Sequence, residues 1–130
     1  MTVGILLICH NKIGEQLLET ATDMLEKIPM PAGELSVHQD DDPIDLLNRA
    51  RRRIADLDEG DGVLVLTDMY GSTPSNIAHR LKDKNRVRVI SGVNLPMVVR
   101  AMNYPQLNLP QMTERVATGG REGIIEGDGI

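Results

Sequence analysis

The chain has no Phe, no Trp and only two Tyr among 130 residues. Proteins that read nucleic acid by stacking bases need aromatic platforms, so that mode of binding is excluded. The core must instead be built from aliphatic side chains and the seven methionines. Basic charge is also scarce. Fourteen Lys and Arg against nineteen Asp and Glu leave a formal net charge of -5. Phosphate backbones are held by basic patches, so nucleic acid is not the expected partner. The one basic run, Arg49 to Arg53, lies between the acidic runs Asp40–Asp42 and Asp56–Glu59 and reads as a solvated helix face. The single Cys9 permits no internal disulfide and no cysteine-based zinc cluster. No apolar segment approaches the ~20 residues that span a bilayer. The N-terminus lacks the basic flank and cleavage pattern of a signal peptide. A cytoplasmic protein without direct membrane insertion is expected, as one domain over residues 1–130.

What is present begins with Val3–Asn11, VGILLICHN. A near-continuous apolar run this short reads as a strand buried on both faces. It stops at His10, and in an open parallel sheet reactive groups gather at the carboxyl ends of strands. Alternation places Ile5, Leu7 and Cys9 on one face and Leu6, Ile8 and His10 on the other. Cys9 and His10 therefore point apart, and Cys9 reads as a small core residue.

Downstream, apolar residues at Ile13, Leu17, Leu18, Ala21, Met24, Leu25 and Ile28 have helical spacing, ended by Pro29 and Pro31. Leu35–His38 reads as a short strand. Asp42 and Pro43 form an N-cap and first-position pair, which opens a helix closed by Gly60. The acidic triplet Asp40–Asp42 is read as capping and solvation in preference to a metal site. Gly62–Thr67 is a second buried strand. Thr73 and Pro74 then read as N-cap and N1 of a helix running to about Lys82. Val87–Ile90 is a fourth strand, followed by a helix over Leu95–Met102. A last short helix starts at or just before Thr113 and is stopped by Gly119-Gly120. Ile124-Ile125 reads as a terminal strand or a packed tail. Strand and helix alternate four times, which predicts an α/β, doubly wound and mainly parallel four-stranded sheet with helices on both faces.

Three strand ends then share one edge: His10, Asp68 and the Ser91–Asn94 loop. Gly71, the hydroxyls of Ser72 and Thr73 and the free N–H groups of a helix start suit a phosphoryl group. Asp68 has the wrong sign to bind phosphate and the right sign to orient a histidine. A carboxylate on one ring nitrogen leaves the other as a nucleophile. Nucleophile, orienting acid and anion cradle together point to a phosphohistidine. No Gly-x-x-x-x-Gly-Lys or Gly-x-Gly-x-x-Gly loop supports nucleotide binding, and no cofactor or metal is expected. His38 and His79 fall elsewhere in the predicted order and read as surface or satisfied histidines. A flavodoxin-like ligand binder without turnover is the plain alternative.

The chain resembles the mannose-family IIA domain of the bacterial phosphoenolpyruvate-dependent sugar phosphotransferase system. The residues that carry the resemblance are the strand ending at His10, the block from Asp68 to Asn76, the block from Gly92 to Met97, and the block from Thr118 to Gly123. The resemblance implies that His10 accepts phosphate from the histidine phosphocarrier protein HPr and passes it to a IIB domain. It implies phosphorylation at Nε2, Asp68 bonded to Nδ1, and phosphoryl oxygens received by Thr73 and neighbouring amides. It also implies a homodimer in which a C-terminal strand, here near Glu122–Glu126, crosses to the partner. The family usually has Gly where this chain has Asn11, a residue that tolerates left-handed backbone. It often has a second Gly where this chain has Ser72, which would be strained if the position needed positive φ. The lone domain also fits a regulatory module whose phosphorylation state controls a partner protein. A third reading is the related domain that feeds phosphate to dihydroxyacetone phosphorylation.

Overall fold

A computed structural model describes residues 1–127. The order of elements is β1 (Gly4–His10), α1 (Ile13–Leu25), β2 (Ala32–Val37), α2 (Pro43–Leu57), β3 (Val63–Thr67), α3 (Thr73–Arg80), β4 (Val87–Ser91), α4 (Leu95–Asn103) and α5 (Leu109–Glu122). The strands pair in the order β2-β1-β3-β4, and every pair is parallel. The doubly wound α/β fold read from the sequence is the fold observed.

The alternation in β1 explains the layering. Ile5, Leu7 and Cys9 join Leu64 and Leu66 of β3 under α1, α4 and α5. Leu6 and Ile8 join Val63 and Val65 on the opposite face, under α2 and α3. Each fully buried aliphatic side chain of β1 is worth about 1.5–3 kcal/mol relative to exposure, so this strand is a large part of what holds both layers. The chain leaves β1 through α1 on one face and leaves β3 through α3 on the other. The sheet order therefore reverses between β1 and β3, and a crevice opens between their carboxyl ends.

Local signals set most boundaries. The Asp42 carboxylate accepts the Asp45 N–H at 3.0 Å with Pro43 at the first helical position, as expected. Besides the earlier starts of β2 at Ala32 and α5 at Leu109 and the earlier end of α3 at Arg80, three further boundaries differ from the sequence reading. Helix α1 stops at Leu25, because Glu26 turns left-handed with φ 61° before the prolines are reached. Helix α3 starts at Thr73, with Ser72 in the N-cap position. Helix α5 does not stop at Gly119-Gly120 but runs through them to Glu122.

The third difference has a packing cause. A Cβ on Gly120 would lie 2.6 Å from Met97 Cγ and 2.7 Å from its Sδ. Met97 is buried, so the glycine allows α5 to approach α4 and does not end the helix. Asn94 fixes the same contact: its side chain accepts the Met97 N–H at 3.1 Å and donates to Gly120 O at 3.0 Å. Gly120→Val should therefore destabilise the protein by roughly 1–3 kcal/mol through overpacking. A lowered urea midpoint at unchanged slope is the expected readout.

Over the described part of residues 122–126 no strand forms within the single chain. Glu122 ends α5, and Ile124 and Ile125 remain 78% and 71% exposed. Among the described residues no helix is long and apolar enough to cross a membrane.

Candidate functional site

The end of β1 delivers His10 to the crevice. Its register places His10 against Val37 of β2, while Ile8 stands opposite Thr67, the last residue of β3. Asp68 follows at once. Its Oδ2 accepts the His10 ring Nδ1–H at 2.8 Å and the His10 backbone N–H at 3.1 Å. One carboxylate oxygen thus fixes both the ring and the backbone of the same residue. With Nδ1 carrying the proton, Nε2 keeps its lone pair. His10 is 41% exposed and Asp68 only 12%, so the imidazole meets solvent while the carboxylate lies behind it. The second carboxylate oxygen, Oδ1, is buried and has no hydrogen-bond partner in the protein.

Asn11 has φ 49°, the left-handed turn that an asparagine tolerates. Its N–H donates to Val37 O at 2.9 Å. Cys9 is buried on the other face. Burial first, and then the negative charge of Asp68, push its thiol up to about 12. It stays protonated and is not a nucleophile at neutral pH.

The β3–α3 loop supplies Gly71, Ser72 and Thr73. Gly71 has φ +84° with open space around it, so its backbone conformation is the reason for glycine there. Ser72 sits at φ -91° and is unstrained. Its hydroxyl donates to Met69 O at 2.6 Å and closes the loop. Thr73 is the first helical residue and not the cap, because the helix begins one residue earlier than its Thr-Pro signal suggests. Its hydroxyl is therefore not committed to capping. Pro74 has no N–H, so the first turn offers the amides of Thr73 and Ser75 without intrahelical partners.

Beneath this loop lies a chain of hydroxyls that the sequence reading missed. Thr67 Oγ1 donates to Ser91 Oγ at 2.8 Å, and Ser91 Oγ lies 3.2 Å from Ser75 Oγ. Thr67 and Ser75 are fully buried. The chain ties the ends of β3 and β4 to the first turn of α3.

A cleft of about 510 Å³ joins these parts, lined by His10, Asn11, His38, Gln39, Asp41 and Thr73 together with Val37 and Pro43. The structure thus brings His10, Asp68 and Thr73 to one place. Asn94 stands on the same sheet edge but is committed to capping α4. His79 lies in the last turn of α3, edge-on to Tyr70 at 5.7 Å between centroids. His38 is exposed, as expected of a surface histidine, but its place is not the one expected: it lines the same cleft as His10. The available signal was pairing order, because β2 lies beside β1 and the residue after Val37 must fall at the edge where β1 ends. Of the acidic triplet, Asp42 caps α2 and Asp41 accepts the His38 N–H at 2.8 Å. Met69, Tyr70 and Ile44 are exposed, on loop and helix starts that follow β3 and β2.

Comparison with known proteins gives three kinds of likeness. A family model described as the PTS system fructose IIA component, of the EIIA-man family, matches residues 4–117. The PTS system mannose-specific EIIAB component of Escherichia coli (strain K12) is 35% identical over 128 residues, covering 95% of this chain and 39% of that protein. The chain thus spans about two fifths of that relative. The transcriptional regulatory protein LevR of Bacillus subtilis (strain 168) is 34% identical over 120 residues, 88% of this chain and 12% of LevR. Among solved structures, the mannose/sorbose specific IIA subunit of the phosphotransferase system from Enterococcus faecalis superposes with a TM-score of 0.85 at 23% identity, covering 98% of this chain and 96% of that one.

Proposed function

The chain belongs to the mannose-type IIA family of the phosphoenolpyruvate-dependent sugar phosphotransferase system, and on that premise we propose that it carries a phosphoryl group on Nε2 of His10. The observation that supports this most directly is the hydrogen bond from His10 Nδ1–H to Asp68. It leaves Nε2 as the nucleophile, on the more exposed of the two partners.

The step is a direct transfer between two imidazoles. The lone pair of His10 Nε2 forms a new P–N bond as the P–N bond of the donor phosphohistidine breaks. The donor imidazole leaves with that electron pair as a neutral ring. The Nδ1 proton stays in its bond to Asp68, so no proton is lost from the site. His10 becomes a cationic phosphoimidazole, and the Asp68 carboxylate stabilises that positive charge. Gly71, Ser72 and Thr73 shape the cradle. Gly71 provides the left-handed turn, Ser72 closes it, and Thr73 presents a hydroxyl and an amide to the phosphoryl oxygens. Phosphoryl transfer relies on positioning and electrostatics more than on covalent help from the protein, and these residues supply both.

The donor is the phosphocarrier HPr and the acceptor a IIB domain, in the cytoplasm. Exposed Met69, Tyr70 and Ile44 provide apolar surface for protein partners at the edge of the sheet. The exposed Ile124 and Ile125 beyond α5 suit a homodimer in which the tail crosses to the partner. Incubation with enzyme I, HPr and labelled phosphoenolpyruvate should place one phosphoryl group on the protein, labile in acid and stable in base. Absence of label under conditions that label HPr would refute the reading.

A regulatory role on the same chemistry has one specific support, the likeness to LevR. The discriminating measurement presents the phosphorylated protein to purified IIB domains. Discharge within seconds to a IIB domain favours transport. Stable label with all of them, and phosphorylation-dependent binding to a regulator, favours control.

A further inference from the structure

The cleft beside His10 has two walls. Thr73 and the start of α3 form the first. The second is the turn that follows β2, which contributes His38, Gln39 and Asp41. Resting on the assignment of phosphoryl transfer to His10, we propose that His38 binds the phosphoryl group from this second wall, donating a ring N–H to one of its oxygens as the group moves onto His10.

A phosphoryl group brings about two negative charges into a cleft that already holds the carboxylate of Asp41, with Asp68 directly behind His10. Asp40 and Asp42 stand on the same turn. Such a site repels the group unless donors face it. On the first wall Thr73 offers a hydroxyl and an amide. On the second, the side-chain donors are the imidazole of His38 and the amide of Gln39, and the Asn11 side chain also lines the cleft. An imidazole presents at least one N–H donor in every tautomer, so the role does not depend on its being charged.

The turn is also built to hold His38. Its N–H donates to Asp41 Oδ2 at 2.8 Å, and the Asp41 N–H donates back to His38 O at 3.1 Å. These two bonds close residues 38–41 into a turn and occupy one Asp41 oxygen. Asp42 is occupied by capping Asp45 N–H. Two of the three carboxylates are thus partly neutralised by backbone donors, which lowers the repulsion the incoming group meets. The turn is anchored to the site itself, since Asn11 N–H bonds Val37 O at 2.9 Å next to His38.

The test uses the full chain and purified phospho-HPr in single-turnover quench measurements. A hydrogen bond to a charged acceptor is worth roughly 10- to 100-fold in rate when lost. His38→Ala should therefore slow labelling by that factor at saturating phospho-HPr, with the concentration for half-maximal rate little changed. His38→Gln, which keeps a donor, should recover most of the loss. His38 is exposed, so both variants should unfold at the wild-type midpoint. A His38→Ala rate within twofold of wild type overturns the proposal. So does a loss fully recovered by more phospho-HPr, which would assign His38 to docking. His10→Ala, run alongside, separates this result from the reading it rests on. Label retained in His10→Ala refutes transfer through His10. Label lost there, with His38→Ala unaffected, refutes only the role of His38.

Discussion

His10→Ala should accept no detectable phosphate from phospho-HPr. The other candidate nucleophiles are worse placed: the His38 imidazole lines the same cleft, but it is the His10 ring that Asp68 orients, while Asp41 bonds only the backbone N–H of His38. The neighbouring Cys9 thiol is buried and kept protonated, and the Thr73 hydroxyl has no adjacent base to activate it. The loss should exceed roughly a thousandfold, because removal of a covalent nucleophile leaves no oriented ring to form the P–N bond. The variant should fold, since His10 ends β1 and is 41% exposed. It should be slightly less stable, because Asp68 keeps only the backbone N–H of residue 10 as a partner. Quench-flow labelling and a thermal melt on the same sample separate the two effects. Label at the wild-type rate in a folded variant would remove His10 from the mechanism.

The second large effect is expected at Asp68. Asp68→Ala removes the acceptor for Nδ1–H and the negative charge behind the ring. The imidazole can then rotate or place its proton on Nε2, and the cationic adduct loses its counter-charge. Loss of a preorganised polar group of this kind costs ~2–4 kcal/mol of barrier, or about 30- to 900-fold in rate. The effect should fall on the transfer step, with phospho-HPr binding nearly unchanged. Asp68→Asn should be nearly as slow despite its matching size. Its amide can donate to Nδ1 and so select the tautomer with the proton on Nε2. The phosphorylated form of either variant should also hydrolyse faster than wild type. A labelling rate within threefold of wild type for both variants would show that Asp68 does not act on the ring.

Much of this arrangement was legible in the sequence because local chemistry and period agree. The apolar run to His10 could only be a buried strand, and the alternation within it separated Cys9 from His10. Asp42-Pro43 announced its helix with a cap and a fixed φ. The missed features depend on tertiary neighbours. Gly119-Gly120 reads as a helix stop until Met97 of α4 is placed 2.6 Å from where a Cβ would stand. Thr73-Pro74 satisfies the cap and first-position rule in one register, yet proline is equally at home at the second position, and the helix took Ser72 as its cap. His38 looked remote because its place beside His10 follows from β2 pairing with β1, which no local pattern reveals. The Thr67–Ser91–Ser75 chain joins residues from three elements, and isolated serines and threonines carry no signal of that kind.

The unpartnered Oδ1 of Asp68 bears on how this protein could be improved. A buried carboxylate oxygen without a donor costs roughly 1–3 kcal/mol, and among the described residues His79 Nε2 is likewise buried without a partner. Removing the Asp68 side chain would relieve that cost but would also strip the ring and the backbone N–H of His10 of their shared acceptor. The weakness at Asp68 and the capacity to hold a cationic ring belong to one carboxylate, and engineering cannot trade one away without the other.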